Sequence, residues 1–235
     1  MNDSKKVCLI TGVGPGTGSA LVRRFAAGGY TIAMLARSED RLAELTEAVP
    51  DAHAFACDVS DLEALRQTVT RVEKDLGPIH TVIHNAVSAT LSNYLELDPA
   101  DLRKNFEINT VALLRLAQLT TPAMMERGEG VFMATGNTSA YRGKANFAGF
   151  APTKAAQRIM LESIARHSGP MGVHAVYVAI DAVINVPWTR EVFADKPEEF
   201  FCQPDDIAQA CYDIAHQPKT TWSSDVVIRP YGEEW

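Results

Sequence analysis

The sequence predicts an α/β fold, with a doubly wound parallel sheet of about seven strands and helices on both faces. Short apolar runs alternate along the chain with longer segments of helical periodicity, and a glycine-rich loop follows the first apolar run. Strands that alternate with such helices imply βαβ units, whose right-handed crossovers cover the sheet on both sides. No linker or repeat interrupts the chain, so one domain is expected over residues 1–235.

The individual elements follow from apolar spacing and from glycine and proline at their ends. Strands are predicted at residues 6–11, 31–36, 51–57, 79–84, 130–135, 172–180 and 225–228. Helices are predicted at residues 17–27, 38–49, 58–76, 99–127, 151–167 and 204–216. Residues 185–203 are expected to be irregular or short-helical. Because ligands of open α/β sheets bind at the carboxyl ends of the strands, the site is expected there.

Composition limits the function classes. The net charge of −7 argues against a nucleic-acid partner or an anionic membrane, and no apolar run approaches the ~20 residues that span a bilayer. The cysteines are Cys8, Cys57, Cys202 and Cys211. Neither they nor the histidines show metal-ligand spacing, so we expect reduced thiols, a cytoplasmic location and no metal. His84, at the end of the fourth strand, is expected to be a core histidine with satisfied nitrogens.

The loop after the first strand reads TGVGPGTG over residues 11–18. Its glycines let the backbone turn tightly and approach a ligand closely. The helix that follows offers unpaired N–H groups and a partial positive charge, which suit a pyrophosphate. This arrangement predicts a Rossmann-like dinucleotide site. The expected cofactor-binding residues here are Gly12, Gly14, Gly16, Thr17 and Gly18.

The glycine spacing is T-G-x-x-x-G-x-G. It resembles the spacing of the short-chain dehydrogenase/reductase family, and the resemblance to this family extends over nearly the whole chain. The supporting features are Asp58-Val59 after the third strand, Asn85-Ala86 after the fourth, Asn109 in the long helix and Lys154 in the next. The resemblance implies adenine contacts for Asp58 and Val59. It places Asn85 in the turn beside the cofactor and implies a structural and proton-relay role for Asn109. It also implies a small-molecule substrate.

The end of the second strand bears on the choice of cofactor. NAD-preferring enzymes usually carry Asp or Glu there, bonded to the ribose 2′-hydroxyl. This chain has Arg37 and Ser38, and an arginine with a hydroxyl suits a 2′-phosphate. We therefore expect NADP(H) to be favoured over NAD(H). The alternative is that Arg37 is a solvated charge at the strand end.

The chain departs from the family at its chemistry. The resemblance implies a tyrosine that exchanges the substrate proton, a lysine one helical turn later that holds the ribose, and a serine that bonds the substrate oxygen. Lys154 is present, but Phe150 occupies the tyrosine position and Asn137, thirteen residues earlier, the serine position. Phe150 cannot exchange a proton. Catalytic positions are therefore expected at Asn109, Asn137, Phe150 and Lys154.

Three readings remain open. The first is a working carbonyl/alcohol oxidoreductase in which the Asn137 amide holds the carbonyl oxygen. Alternative hydroxyls for that task are Thr138 and Ser139, and alternative proton donors are Lys154 through water, Tyr141 and Asp181. The second is a non-catalytic NADP(H)-binding sensor or regulatory subunit. The third, a scaffold that binds no cofactor, is disfavoured by the intact glycine loop.

Two further expectations concern the substrate and assembly. A substrate lid is expected at residues 185–203, where aromatic residues favour an apolar or aromatic substrate or else a packing contact. These aromatic residues are Trp188, Phe193, Phe200 and Phe201. The helices at 99–127 and 151–167 are apolar on more than one face, which favours a homodimer or homotetramer.

Overall fold

The computed structural model of the protein describes residues 5–232. Its main sheet has seven parallel strands in the order β3-β2-β1-β4-β5-β6-β9. These strands are β1 (Val7–Thr11), β2 (Thr31–Ala36), β3 (Ala52–Ala56), β4 (Ile79–His84), β5 (Gly130–Gly136), β6 (Val173–Ile180) and β9 (Asp225–Ile228). The predicted doubly wound Rossmann-like sheet is thus confirmed.

Helices cover both faces of this sheet. They are α1 (Thr17–Ala27), α2 (Glu39–Ala48), α3 (Leu62–Leu76), α4 (Pro99–Phe106), α5 (Ala112–Arg127), α6 (Ala151–Ser168), α7 (Pro187–Val192) and α8 (Pro204–Ala215). One core packs α3, α5 and α6 on the sheet, and the other packs α1, α2 and α8 on its opposite face. Every residue of β1 and β6 is buried, as expected of strands covered on both sides.

The structure corrects the sequence prediction at three places: one helix boundary, one helix interior and one additional strand pair. The helix predicted from residue 58 begins only at Leu62, because Asp61 caps it by accepting hydrogen bonds from the N–H groups of Glu63 and Ala64 at 3.1 and 2.9 Å. The long helix predicted at 99–127 contains one π-helical stretch, Glu107–Val111, here called the π-turn. A short parallel pair joins β7 (Val183–Ile184), just before the segment predicted to be irregular, to β8 (Phe201–Cys202), near the end of that segment.

The strand order reverses between β1 and β4, which creates the crevice at the carboxyl ends where α/β folds bind ligands. Residues 1–4 and 233–235 of the expected domain lie outside the described residues, and the single domain stays a prediction. Within residues 5–232, the helices are all too short or too polar to cross a bilayer.

Candidate functional site

The glycine loop has the shape of a phosphate cradle. Gly12 has φ +69°, and a Cβ there would lie 2.4 Å from the Cα of Ala86, so only glycine fits. A Cβ on Gly14 would come no closer than 4.0 Å to any neighbour, which leaves open space above the loop. No side chain caps the first N–H groups of α1, and the Thr17 hydroxyl is buried without a hydrogen-bond partner among the described residues. These unused donors fit a pyrophosphate.

Asn85, directly after β4, holds this loop in place. Asn85 donates from Nδ2 to the Gly12 carbonyl at 2.9 Å and accepts at Oδ1 from the Thr135 hydroxyl at 2.8 Å. It thereby ties the glycine loop to the end of β5. Because the Asn85 amide is used for these two bonds, its role is to fix the position of the glycine loop.

His84 is a core histidine whose two nitrogens both have partners. Its Nε2 lies 3.0 Å from the Ile108 carbonyl, and its Nδ1 lies 3.0 Å from the Thr11 hydroxyl. Because a carbonyl only accepts, Nε2 carries the proton and Nδ1 accepts from Thr11. Burial, with a contribution from the charge of Lys154, lowers the pKa of His84 to about 3.

The opposite end of the crevice carries the residues expected to recognise the adenosine. Asp58 accepts hydrogen bonds from the Ser60 hydroxyl at 2.7 Å and the Ser60 N–H at 3.0 Å. These bonds, aided by the charges of Arg37 and Lys104, lower the pKa of the Asp58 carboxyl. Val59 is buried in the core beneath.

Arg37 is exposed and makes no hydrogen bond or short ion pair with another described residue. Ser38 is the N-cap residue of α2, and its side-chain oxygen accepts a hydrogen bond from the Arg41 N–H at 3.4 Å. The guanidinium and the hydroxyl proton are both free to bind an anion beside the end of β2.

The π-turn fastens the middle of the site. Asn109 accepts at Oδ1 from the Ser88 N–H at 2.9 Å and donates from Nδ2 to the Ser88 carbonyl and the Thr153 hydroxyl, each at 2.8 Å. Thr110 adds a bond to the Thr153 carbonyl at 3.0 Å. Both N–H hydrogens of the Asn109 amide are therefore used to join the loop after β4 to α6.

A buried chain of hydrogen bonds runs from Lys154 to the π-turn, and our sequence reasoning missed its middle member. Lys154 donates from Nζ to Oε1 of Gln157 at 2.9 Å and to the Thr135 carbonyl at 3.4 Å. Gln157 in turn donates from Nε2 to the Asn109 carbonyl at 2.6 Å. The i, i+3 spacing on α6 was the available signal, but the carbonyl acceptor depends on the π-turn.

Lys154 is nearly fully buried and has no carboxylate partner in the described part of the chain. Burial alone lowers the pKa of Lys154 to about 7. The Phe150 ring, one helical turn earlier, lies on the same face with its centroid 5.8 Å from Nζ. Phe150 is the N-cap residue of α6, and its side chain is buried. Of these two side chains, only Lys154 can exchange a proton.

Asn137 lies at the end of β5 beside a cavity of about 320 Å³. The cavity is lined by Asn137, Thr138, Ser139, Arg142, Lys144, Phe147, Ile180, Asp181, Ala182, Val183 and Phe200. The side-chain oxygen of Asn137 accepts from the Ser139 N–H at 3.2 Å and from the Ser139 hydroxyl. Its amide N–H₂ makes no bond to another described residue, so it is available to an acceptor.

The hydroxyls considered as substitutes are engaged elsewhere. Thr138 donates to the buried carboxylate of Asp181, which also lies 3.7 Å from Arg142. Tyr141 is exposed and donates to Asp225 on β9. Burial and the Asp225 carboxylate raise the pKa of Tyr141 to about 12, which makes it a poor proton donor near neutrality.

The segment after β6 covers the glycine loop. A Cβ on Gly16 would lie 2.8 Å from the side chain of Val186, just before α7. Among the four aromatic residues of this segment only Phe200 lines the cavity, while the Trp188 side chain is exposed. The cavity is also lined by two cationic side chains and one carboxylate, Arg142, Lys144 and Asp181. The described residues contain no cluster suited to a metal.

The comparisons decide the family. A sequence family described as short chain dehydrogenase matches residues 6–197, most of the chain. The chain belongs to this family. The L-xylulose reductase of Mesocricetus auratus is 27% identical over 231 residues, covering 94% of this chain and 93% of that protein. The 7alpha-hydroxysteroid dehydrogenase of Escherichia coli K12 is 23% identical over 239 residues, covering 97% and 93%.

A solved structure agrees with the fold. The alcohol dehydrogenase of the archaeon Thermococcus sibiricus, complexed with 5-hydroxy-NADP, has a TM-score of 0.87 and 24% identity, and the match covers 98% of each chain. This short-chain dehydrogenase therefore has the fold of its relatives although it carries Phe150 and Asn137 in its site.

The depressed pKa of His84 predicts acid sensitivity of the fold. An unfolded histidine titrates near ~6.5, whereas folded His84 does so at about 3. The unfolded chain thus binds the proton first, and stability present above about pH 6.5 is lost as the pH falls toward 3. At pH 5 this amounts to about 2 kcal/mol.

Urea unfolding of wild type and His84→Gln at pH 7 and pH 5 measures this loss. Glutamine also offers a donor and an acceptor, so it is a matched replacement that does not titrate. Wild type should lose about 2 kcal/mol more than the variant between the two pH values. Equal losses in both proteins would show that His84 is not the neutral buried group described here.

Proposed function

We propose that this protein is a cytoplasmic, NADP(H)-dependent oxidoreductase that acts on a small carbonyl or alcohol substrate, with Lys154 as the group that exchanges the proton. The cofactor supplies or accepts the hydride when it is bound. The glycine loop, the start of α1 and Asn85 fit its pyrophosphate side. Asp58 and Val59 fit its adenosine side.

The hydrogen bonds of the Lys154 Nζ are the observation that supports this proposal. Its Nζ has two acceptors among the described residues, the Gln157 amide oxygen and the Thr135 carbonyl, and both are neutral. Two acceptors match the two hydrogens of a neutral amine and leave its lone pair free. With a pKa of about 7, Lys154 is both a donor and an acceptor of protons near neutral pH.

Asn137 supplies the second function that the site requires. Its oxygen is held by Ser139, which fixes the amide plane and leaves the N–H₂ group without a partner among the described residues. An N–H donor of this kind stabilises the negative charge that develops on a carbonyl oxygen during reduction. Asn137 thus polarises the carbonyl, and Lys154 provides the proton.

The preference for NADP(H) is supported by Arg37 and Ser38, whose donors are unused at the end of β2. A guanidinium with a neighbouring hydroxyl matches a 2′-phosphate. Among similar solved structures, a metagenomic short-chain oxidoreductase is in complex with NADP, and it matches with a TM-score of 0.84 and 22% identity. That likeness supports a nicotinamide cofactor.

A non-catalytic NADP(H)-binding sensor or regulatory subunit is the second candidate. The observation that favours it is the double replacement at Phe150 and Asn137 in an otherwise intact cleft. Turnover separates the two candidates. If wild type oxidises NADPH with no compound in a panel of aldehydes, ketones and quinones, and Phe150→Tyr with Asn137→Ser does so, the second candidate is the better one.

The role of Lys154 predicts a pH profile. Reduction consumes the ammonium form, so turnover in the reducing direction should be maximal below pH 7 and fall about tenfold per unit above it. Lys154→Met should lower turnover by about 10²–10⁴-fold, while Lys74→Met, an exposed change on α3, should leave it unaltered. NADPH absorbance follows the reaction. A wild-type profile without an inflection near 7 contradicts Lys154 as donor.

The role of Arg37 predicts a selective loss of affinity. Arg37→Ala should weaken NADPH binding about tenfold by removing a charge-assisted bond and leave NADH binding unchanged. Arg41→Ala, a neighbouring exposed change, is the control for general loss of charge. Fluorescence titration with each nucleotide measures both. Equal wild-type affinity for NADH and NADPH would refute the role of Arg37, and no NADPH binding at all would refute both candidate functions.

We also propose that the chain forms a homodimer or homotetramer, with residues 185–203 as a substrate lid in each subunit. Leu114 on α5 and Ile159 on α6 expose 38% and 55% of their surface, as interface residues of an isolated subunit do. Light scattering at micromolar concentration should give at least twice the mass of one chain. Leu114→Glu with Ile159→Glu should lower that mass, and a monomeric wild type would end the proposal.

A further inference from the structure

We infer that Gln157 is a positioning residue for the reaction, whose amide links the Nζ of Lys154 to the π-turn. The inference rests on the proposed function of Lys154 as the proton-exchanging group. Gln157 is fully buried on α6, one helical turn after Lys154, and neither the family pattern nor the sequence spacing assigns it a role.

The geometry fixes which end of the amide faces the lysine. The Asn109 carbonyl only accepts hydrogen bonds, so the group 2.6 Å from it must be the Nε2 of Gln157. The amide oxygen is then directed to Lys154 Nζ, at 2.9 Å. Because both ends of the side chain are bonded, Gln157 holds Nζ in one place on the inner face of α6.

Every group around Nζ is neutral or paired. The Thr135 carbonyl faces it from β5, and the Phe150 ring lies on its own helix. His84, on β4, has a pKa of about 3 and stays uncharged near neutrality. Arg158, one turn further along α6, is paired with Asp225 at 2.6 Å. The amide oxygen of Gln157 is therefore the nearest polar support for the ammonium form.

The amide also determines what the link cannot do. A side-chain amide does not gain or lose protons in the working range of pH, so Gln157 fixes Lys154 without relaying protons from it to the Asn109 carbonyl. The resemblance implied a proton-relay role for Asn109. In this chain we expect Lys154 instead to exchange its proton through the third hydrogen or the lone pair, which the bonds to Gln157 and Thr135 leave unused.

The test is the titration of Lys154 itself, without cofactor or turnover. The chain has eight lysines, so ¹³C-lysine labelling gives a small set of Cε resonances, and the one lost in Lys154→Met is assigned. Gln157→Leu removes the amide at nearly constant volume. Because hydrogen bonding favours the ammonium form, the midpoint of Lys154 should fall by about one pH unit relative to wild type.

Thr110→Val is the matched control, since it removes another buried hydrogen bond between the π-turn and α6 without touching Lys154. Its midpoint should equal that of wild type. If Gln157→Leu does not fold, the flexible Gln157→Met gives the same comparison. Equal midpoints in wild type and the Gln157 variant, or an equal fall in Thr110→Val, would overturn the inference.

The two proposals fail separately. The difference between wild type and the Gln157 variant decides the positioning role, whatever the absolute midpoint. A wild-type Lys154 that titrates near ~10.4, the ordinary lysine value, would refute its role as proton donor near neutral pH. As a second readout, the pH dependence of NADPH oxidation should shift with the NMR midpoint in Gln157→Leu. A shift of the NMR midpoint without a shift of the pH dependence would refute Lys154 as the proton donor, whereas an unchanged NMR midpoint would refute the positioning of Lys154 by Gln157.

Discussion

The bonding of the π-turn is the constraint on which the site depends. This single stretch is hydrogen-bonded to His84 on β4 and to Ser88 in the loop that follows β4. It is also hydrogen-bonded to Thr153 and Gln157 on α6. A regular helix directs its carbonyls along its own axis, whereas the carbonyls of Ile108 and Asn109 serve side chains of neighbouring elements. The relative position of the glycine loop and Lys154 follows from these bonds.

Phe150 lies where the family resemblance implies a tyrosine, and under the proposed function this difference has an electrostatic consequence beyond the missing hydroxyl. An aromatic ring without a polar group cannot share a proton with Lys154, and it adds apolar surface around the ammonium. Burial is then the dominant influence on the lysine, and it favours the uncharged amine. Under the proposed function, Phe150 thereby helps to bring Lys154 into the pH range where it can act as the proton donor.

Much of the fold and part of the site were predictable because they depend on local signals. Glycine and proline ended the helices where expected, and the glycine loop needed only its position after β1. The start of α3 was wrong, because Asp58 is engaged by Ser60 and Asp61 takes the cap. No local pattern indicates contacts between residues that are distant in sequence. Such contacts are the hydrogen bonds of the π-turn to neighbouring elements, the β7–β8 pair and the Tyr141–Asp225 bond. The role of Gln157 depends on such a contact.

Under the proposed function, the separation of tasks between Asn137 and Lys154 bears on the direction of reaction. An amide donor stabilises charge on the substrate oxygen in both directions, because it neither gains nor loses a proton. A lysine with a pKa of about 7 is present in both protonation states at neutral pH, so it can act as acid in reduction and as base in oxidation. The proposed site therefore imposes no direction by its protonation state. In the proposed reaction, the concentrations of the oxidised and reduced cofactor, together with those of substrate and product, determine the direction.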